Sequence, residues 1–114
     1  MSDGEKNERE GRGHHKLEAW KRAGELVLGI YTLTQNFPKE EMFGLTSQIR
    51  RAAVSIPSDI AEGAARAGEN KFAQFLNISR GSLSELETQL LISADLAYIE
   101  NNNTIFDTVD RVFG

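Results

Sequence analysis

Ser47, Arg51, Ser55, Ser58 and Glu62 follow one another every three or four residues, the spacing that lines side chains along one face of a helix. Hydroxyls, a guanidinium and a carboxylate in one row suit two purposes: nucleophilic or acid–base chemistry, or a hydrogen-bond network between helices or subunits. A serine nucleophile needs a base beside it. The chain has no cysteine, and its two histidines, His14 and His15, both fall within the first fifteen residues. Ser47, Ser55, Ser58, Ser79, Ser82 and Ser84 thus lack an activating partner, and an RNase site built on an Arg followed by a His is equally short of its imidazole. Glu85 and Glu87 stand two residues apart, about 200° around a helix, so they do not face one interior as a catalytic pair. A di-iron bundle site needs Glu-x-x-His on facing helices, and no histidine is available for it. The row therefore reads as a structural or assembly network of Ser47, Arg51, Ser55, Pro57, Ser58, Glu62, Glu85 and Glu87, with the planar donors of Arg51 pairing to Glu62, Glu85 or Glu87.

A second group carries charge. Between Met42 and Leu83 the basic residues Arg50, Arg51, Arg66, Lys71 and Arg80 exceed Asp59, Glu62 and Glu69 by two, enough to make these five the candidates for contacts to nucleic-acid phosphates. The whole chain has a formal charge of -4, which opposes long-range attraction to a polyanion, and a solvated mixed face explains the same residues. The glycines are scattered singly, without a phosphate-binding loop. No cofactor, no metal site and no catalytic residue is expected.

The elements that must position these residues follow from periodicity. Residues 1–15 hold three glycines and seven charges with no large apolar residue after Met1, too little to offset chain entropy, and are expected to be a disordered tail. Residues 16–114 read as one domain. Helix one starts at Leu17, with Trp20, Ala23/Gly24, Val27, Ile30/Tyr31 and Thr34 on its apolar side, and ends near Asn36 ahead of Phe37-Pro38. Pro38 opens helix two, with Glu40 and Glu41 favourable in its first turn. Met42, Leu45, Ile49, Ala53, Ile56, Ile60 and Ala64 continue it across Pro57, predicting one kinked helix whose backbone Ser55 and Ser58 bond near the bend. Gly63 and Gly68 supply its exit, with Gly68 the better left-handed cap. Helix three is expected from Asn70 to Ala97, with Phe72, Phe75/Leu76, Ser79, Leu83, Leu86, Leu90 and Ala94 on one stripe and the small Ser79 and Gly81 allowing close approach. Asn101 to Asn103 mark a turn and cap, and Thr104 to Phe113 a short fourth helix.

No segment alternates as a strand, so the fold class is all-α: an antiparallel up-and-down four-helix bundle with a kinked second helix and a short fourth helix. A chain of 114 residues buries roughly 65% of its unfolded surface, enough for one core without staples. No apolar run approaches a membrane span or a secretory signal, which places the protein in the cytoplasm. The short fourth helix leaves apolar groove uncovered. Either a second copy covers it, or the natural C-terminus lies further on.

The stretch FPKEEMFGLTSQIRRAAVSIPSDIAEG, Phe37 to Gly63, followed by FLNISRGSLSELETQL, Phe75 to Leu90, resembles the four-helix bundle family named after the 23S rRNA intervening-sequence protein, and KLEAWKRA from Lys16 to Ala23 fits the opening of that family. The resemblance implies a bacterial protein whose relatives assemble as ring-shaped homopentamers, with no catalytic residue attached to the motifs. A related group, the accessory variability proteins of diversity-generating retroelements, is similar to it and consists of basic pentamers that bind nucleic acid and a reverse transcriptase; the net charge of this chain departs from theirs. The motif positions Arg50, Arg51, Ser55, Pro57, Ser58, Asp59, Glu62, Glu85, Glu87 and Gln89 serve fold and assembly as readily as ligand binding. The expected function is a non-enzymatic homo-oligomeric scaffold or adaptor, a pentameric ring partnered with itself and with no membrane; the alternative is a nucleic-acid-binding ring.

Overall fold

A computed structural model describes residues 3–66 and 68–114, with side chains from residue 15 on apart from 67. Four α-helices carry the fold: α1 (Asp3–Thr34), α2 (Leu45–Ala65), α3 (Glu69–Asp95) and α4 (Ile105–Arg111), with a 3₁₀ turn at Lys39–Glu41. No strand occurs among the described residues. The expected tail over residues 1–15 falls, but for His15, outside the described side chains; the α1 backbone is helical ahead of Leu17, where the apolar spacing begins.

The helices run up and down. Gly63 of α2 faces Phe72 and Phe75 of α3, while Ile56, seven residues earlier, faces Ser79, so α2 and α3 are antiparallel. Arg50 at the start of α2 reaches Thr34 at the end of α1. Gly29 of α1 touches Ile105 at the start of α4, and Arg80 of α3 lies over Phe113 just past the end of α4. Leu26, Ile30, Ile49, Ile56, Ile60, Leu86, Leu90 and Val112 are fully buried at the centre, each large aliphatic side chain contributing about 1.5–3 kcal/mol by leaving water.

Within this frame several boundaries differ from the periodicity. Pro38 opens only the 3₁₀ turn, and α2 starts seven residues later at Leu45. There the Glu41 carboxylate accepts the Leu45 N–H at 3.2 Å and satisfies one donor of the first turn. Met42, expected on the apolar stripe of helix two, thus lies in the connection and is exposed, as is Phe43. From Leu45 the helix continues unbroken through Pro57. Proline brings no N–H for the Ala53 carbonyl, and Ser55 and Ser58 hydroxyls donate to Ala52 O and Val54 O at 2.7 and 2.8 Å around the site, as expected.

Gly68 has φ +91, the left-handed conformation expected of it. Gly63, by contrast, does not form the exit; it is buried inside α2. The small-residue contact on α3 is made by Ser79, whose buried hydroxyl donates to Ile56 O at 3.2 Å, whereas Gly81 is exposed with open space about it. The helix stops at Asp95 rather than Ala97 because Ala97 turns to φ 63. The N–H of Tyr98 then bonds Ser93 O and that of Ala97 bonds Ala94 O, both at 2.9 Å, the double bond of a Schellman cap. Asn103 provides the expected cap, its side-chain oxygen accepting the Ile105 N–H at 2.9 Å.

Candidate functional site

Residues of the polar row on α2 are placed one turn apart but are not joined into a network within the chain. The Ser55 and Ser58 hydroxyls are spent on their own helix. Glu62 takes Arg66, one turn on, with Nη2 at 2.6 Å and Nε at 3.2 Å. Arg51 stands eleven residues from Glu62, about 16 Å along the helix, so the pairing expected between them is not made. Its guanidinium is exposed, and among the described residues it has no ion-pair partner. Glu85 receives the Gln89 amide of its own helix at 3.4 Å, and Glu87 and Pro57 are half-buried. Burial, helped by the charge of Glu62, raises the Asp59 carboxyl above its ordinary 3.8.

The five basic candidates divide in a way that spacing does not reveal. Arg50 donates to the Thr34 hydroxyl at 2.8 Å and stacks 4.5 Å from the Tyr31 ring centre, clamping α1 to α2. Arg66 holds Glu62 and reaches over Phe75 at 5.7 Å. Arg80 sits 5.2 Å over Phe113. Arg51 and Lys71 remain as exposed cations. Arg50 and Arg66 lie about 24 Å apart along α2, so the five do not form one patch.

Two surfaces take their place as candidate sites. The first is an apolar face. α1 carries two stripes: Ala23, Leu26, Ile30 and Thr34 go into the core, while Leu17, Trp20, Leu28 and Tyr31 are exposed, Leu28 to 70%. The single apolar side read from the sequence for helix one is thus two sides. Half-buried Gly24 falls on the same stripe, with open space where a β-carbon would stand, so a neighbouring backbone can come close there. At the end of the stripe Phe43 is 94% exposed, and with Tyr31, Val54 and Arg51 it lines a shallow depression. The signal that marks this face was present in the sequence: a second three-four repeat at 17, 20, 24, 28 and 31.

The second surface is a groove. α4 has seven residues against 27 in α3, about 10 Å of helix against about 40 Å. Beyond its last turn, α1 and α3 leave a cavity of about 550 Å³ floored by Ala19, Phe72, Leu76 and Phe113. Lys16 on one wall rests its ammonium 4.5 Å from the Phe72 ring centre, and Arg80 on the other lies over Phe113. Arg22 and Glu18 oppose each other at 3.9 Å beside it, and Glu69 lines the same mouth. Spacing did not reveal the meeting of Lys16 with Phe72 and of Arg80 with Phe113, which depends on tertiary structure. Among the described residues no three His, Cys, Asp or Glu side chains gather as a metal site, and no helix is long and apolar enough to cross a membrane.

The family model described as 23S rRNA-intervening sequence protein matches residues 15–112, almost the whole described bundle. No curated protein matches the chain.

Proposed function

The chain belongs to the 23S rRNA-intervening sequence protein family, and we propose that within it this protein is a non-enzymatic scaffold of the bacterial cytoplasm that works as a closed homo-oligomer, a ring of five as the motif resemblance implies. One observation carries this reading: the exposed stripe Leu17, Trp20, Leu28 and Tyr31, continued by Phe43 and Val54. Isolated apolar side chains on a surface need no explanation, but an ordered stripe on the side of a helix away from its own core marks an interface. A repeated subunit gives each docking surface several copies, so weak contacts to another macromolecule add up. Light scattering on the full chain at micromolar concentration tests the proposal. A defined oligomer that Phe43→Ser and Trp20→Ser convert to monomers supports it, and a monodisperse wild-type monomer sinks it.

A second reading, a nucleic-acid-binding ring like the retroelement accessory proteins, rests on Arg51. An exposed guanidinium beside the bare Phe43 ring joins a phosphate contact to a stacking surface, the pair of features that holds single strands. Titration of labelled single-stranded RNA at roughly 50 and 200 mM salt discriminates it, because phosphate contacts weaken steeply with salt.

A further inference from the structure

We infer that the depression around Phe43 and Arg51 receives the acidic flank of α3 from a second copy of this chain, so that successive copies join head to tail. This rests on the scaffold reading and assigns the second face that a closed ring needs, since a head-to-tail contact uses two different surfaces of each subunit.

The first face is cationic and aromatic. Tyr31, Met42, Phe43, Arg51 and Val54 line it. Phe43 is almost wholly exposed, and Arg51 is exposed with no ion-pair partner among the described residues. Residues 42–54 include no Asp or Glu, and the carboxylate of Glu41 just ahead of them is taken by the Leu45 N–H and the Tyr98 hydroxyl. Bare aromatic rings around an unpaired arginine are the anchors on which subunit contacts are built.

The second face is acidic and apolar. Ile78, Glu85 and Ile92 follow at seven-residue intervals on α3, which puts them on one stripe, and all three are exposed. The stripe is distinct from the core stripe of Ser79, Leu86, Leu90 and Ser93. Arg80, which meets Phe113, stands about 200° around the helix from Ile78, so the stripe lies on the side of α3 turned away from α4. Glu85 has no cation partner among the described residues, and residues 81–110 contain no Lys or Arg.

Register matches the two faces. Ile56 is level with Ser79 in the antiparallel pair of α2 and α3, so each step back along α2 is a step forward along α3. Counted from that pair, Arg51 is level with Ser84, next to Glu85, and Phe43, just ahead of α2, comes near the level of Ile92. A neighbouring copy turned about an axis along the bundle, without sliding, therefore sets guanidinium against carboxylate and aromatic ring against isoleucine. A contact with no rise along that axis closes as a ring instead of winding into a filament.

Light scattering and sedimentation velocity on the full chain compare wild type, Arg51→Glu, Glu85→Arg and the double variant. Each single reversal places like charges across the contact and should raise the concentration at which the oligomer forms at least tenfold, and the double variant should regain assembly. An equal mixture of the two single variants should also assemble, since each then offers the other an opposite charge. Both residues are exposed, and matching circular-dichroism melts show that the fold is kept. A double variant that stays dissociated with an unchanged melt overturns the inference, as does a reversal at Glu85 that leaves assembly intact. A wild-type dimer overturns the head-to-tail arrangement. Reversal of Arg51 that keeps the oligomer whole but abolishes retention of single-stranded RNA overturns it in favour of a nucleic-acid surface. An oligomer that neither reversal changes removes this inference and leaves the scaffold reading standing, whereas a monomeric wild type sinks both.

Discussion

A β-carbon added to Gly63 would lie 2.6 Å from the β-carbon of Phe75 and 3.4 Å from the Phe72 ring. The obstacle is not the far end of a flexible side chain, since Phe75 Cβ moves only with the backbone of α3. Gly63→Ala therefore forces α2 and α3 apart and destabilises the bundle by about 1–3 kcal/mol, the usual cost of overpacking a tight contact. Chemical denaturation of the two proteins checks the effect, and a midpoint equal to wild type refutes the contact.

At the other end of α3 the strain has the opposite sign. Ala97 holds φ 63 to close the helix, a conformation that costs an L-residue with a β-carbon roughly 1 kcal/mol and glycine almost nothing. Ala97→Gly is expected to stabilise the protein by about that amount, less the entropy that glycine adds to the unfolded chain. A lower melting temperature would show that the cap does not form as described.

Gly81 is a helix-interior glycine with no contact for a β-carbon to spoil. Gly81→Ala should raise stability by about 0.5–1 kcal/mol through helix propensity alone. The result contrasts with Ser79→Ala two residues away, which removes a buried hydroxyl donating to Ile56 O and should cost about 1 kcal/mol. Thermal melts of the two variants moving in the same direction would contradict the assignment of Ser79 to the contact and Gly81 to solvent.

Tyr98 gives the fold an alkaline limit. Its hydroxyl donates to Glu41 at 2.9 Å, and that bond, followed by burial and the charges of Glu41 and Glu40, raises the phenol above its ordinary 10.0. The folded state thus keeps the proton longer than the unfolded state. The stabilisation is present in full below pH 10 and is lost as pH rises from 10 through the raised folded value. Wild type should melt higher than Tyr98→Phe at pH 8, and the difference should shrink above pH 10; a constant difference would place the stabilisation elsewhere.

For nucleic acid the geometry ranks the arginines. Arg50 and Arg66 are engaged with Thr34 and Glu62, while Arg51 and Lys71 are exposed. In RNA titrations across salt, the double variant Arg51→Ala, Lys71→Ala should reduce the slope of log affinity against log salt by about two, and Arg66→Ala should leave it unchanged. The reverse ranking would reject Arg51 and Lys71 as the contacts.

The helix stripes, the passage of α2 through Pro57, the left-handed Gly68 and the cap at Asn103 were legible in the sequence, because each depends on neighbours within a few residues. The last helical segment, α4, was legible from its three-four spacing. What required tertiary structure was the choice among residues of one type. Spacing assigned one apolar side to α1, but only the packing of α2 and α4 against it separates buried Leu26 from exposed Leu28. Spacing grouped five cations; the i,i+4 pair Glu62–Arg66 is local, but only the docking of the helices brings Tyr31 to Arg50, Phe75 to Arg66 and Phe113 to Arg80. Gly63 reads as a helix exit until Phe75 is brought against it from α3. Backbone periodicity is a local property, whereas partners on another helix, such as Tyr31 for Arg50 and Phe113 for Arg80, are selected by how the helices dock.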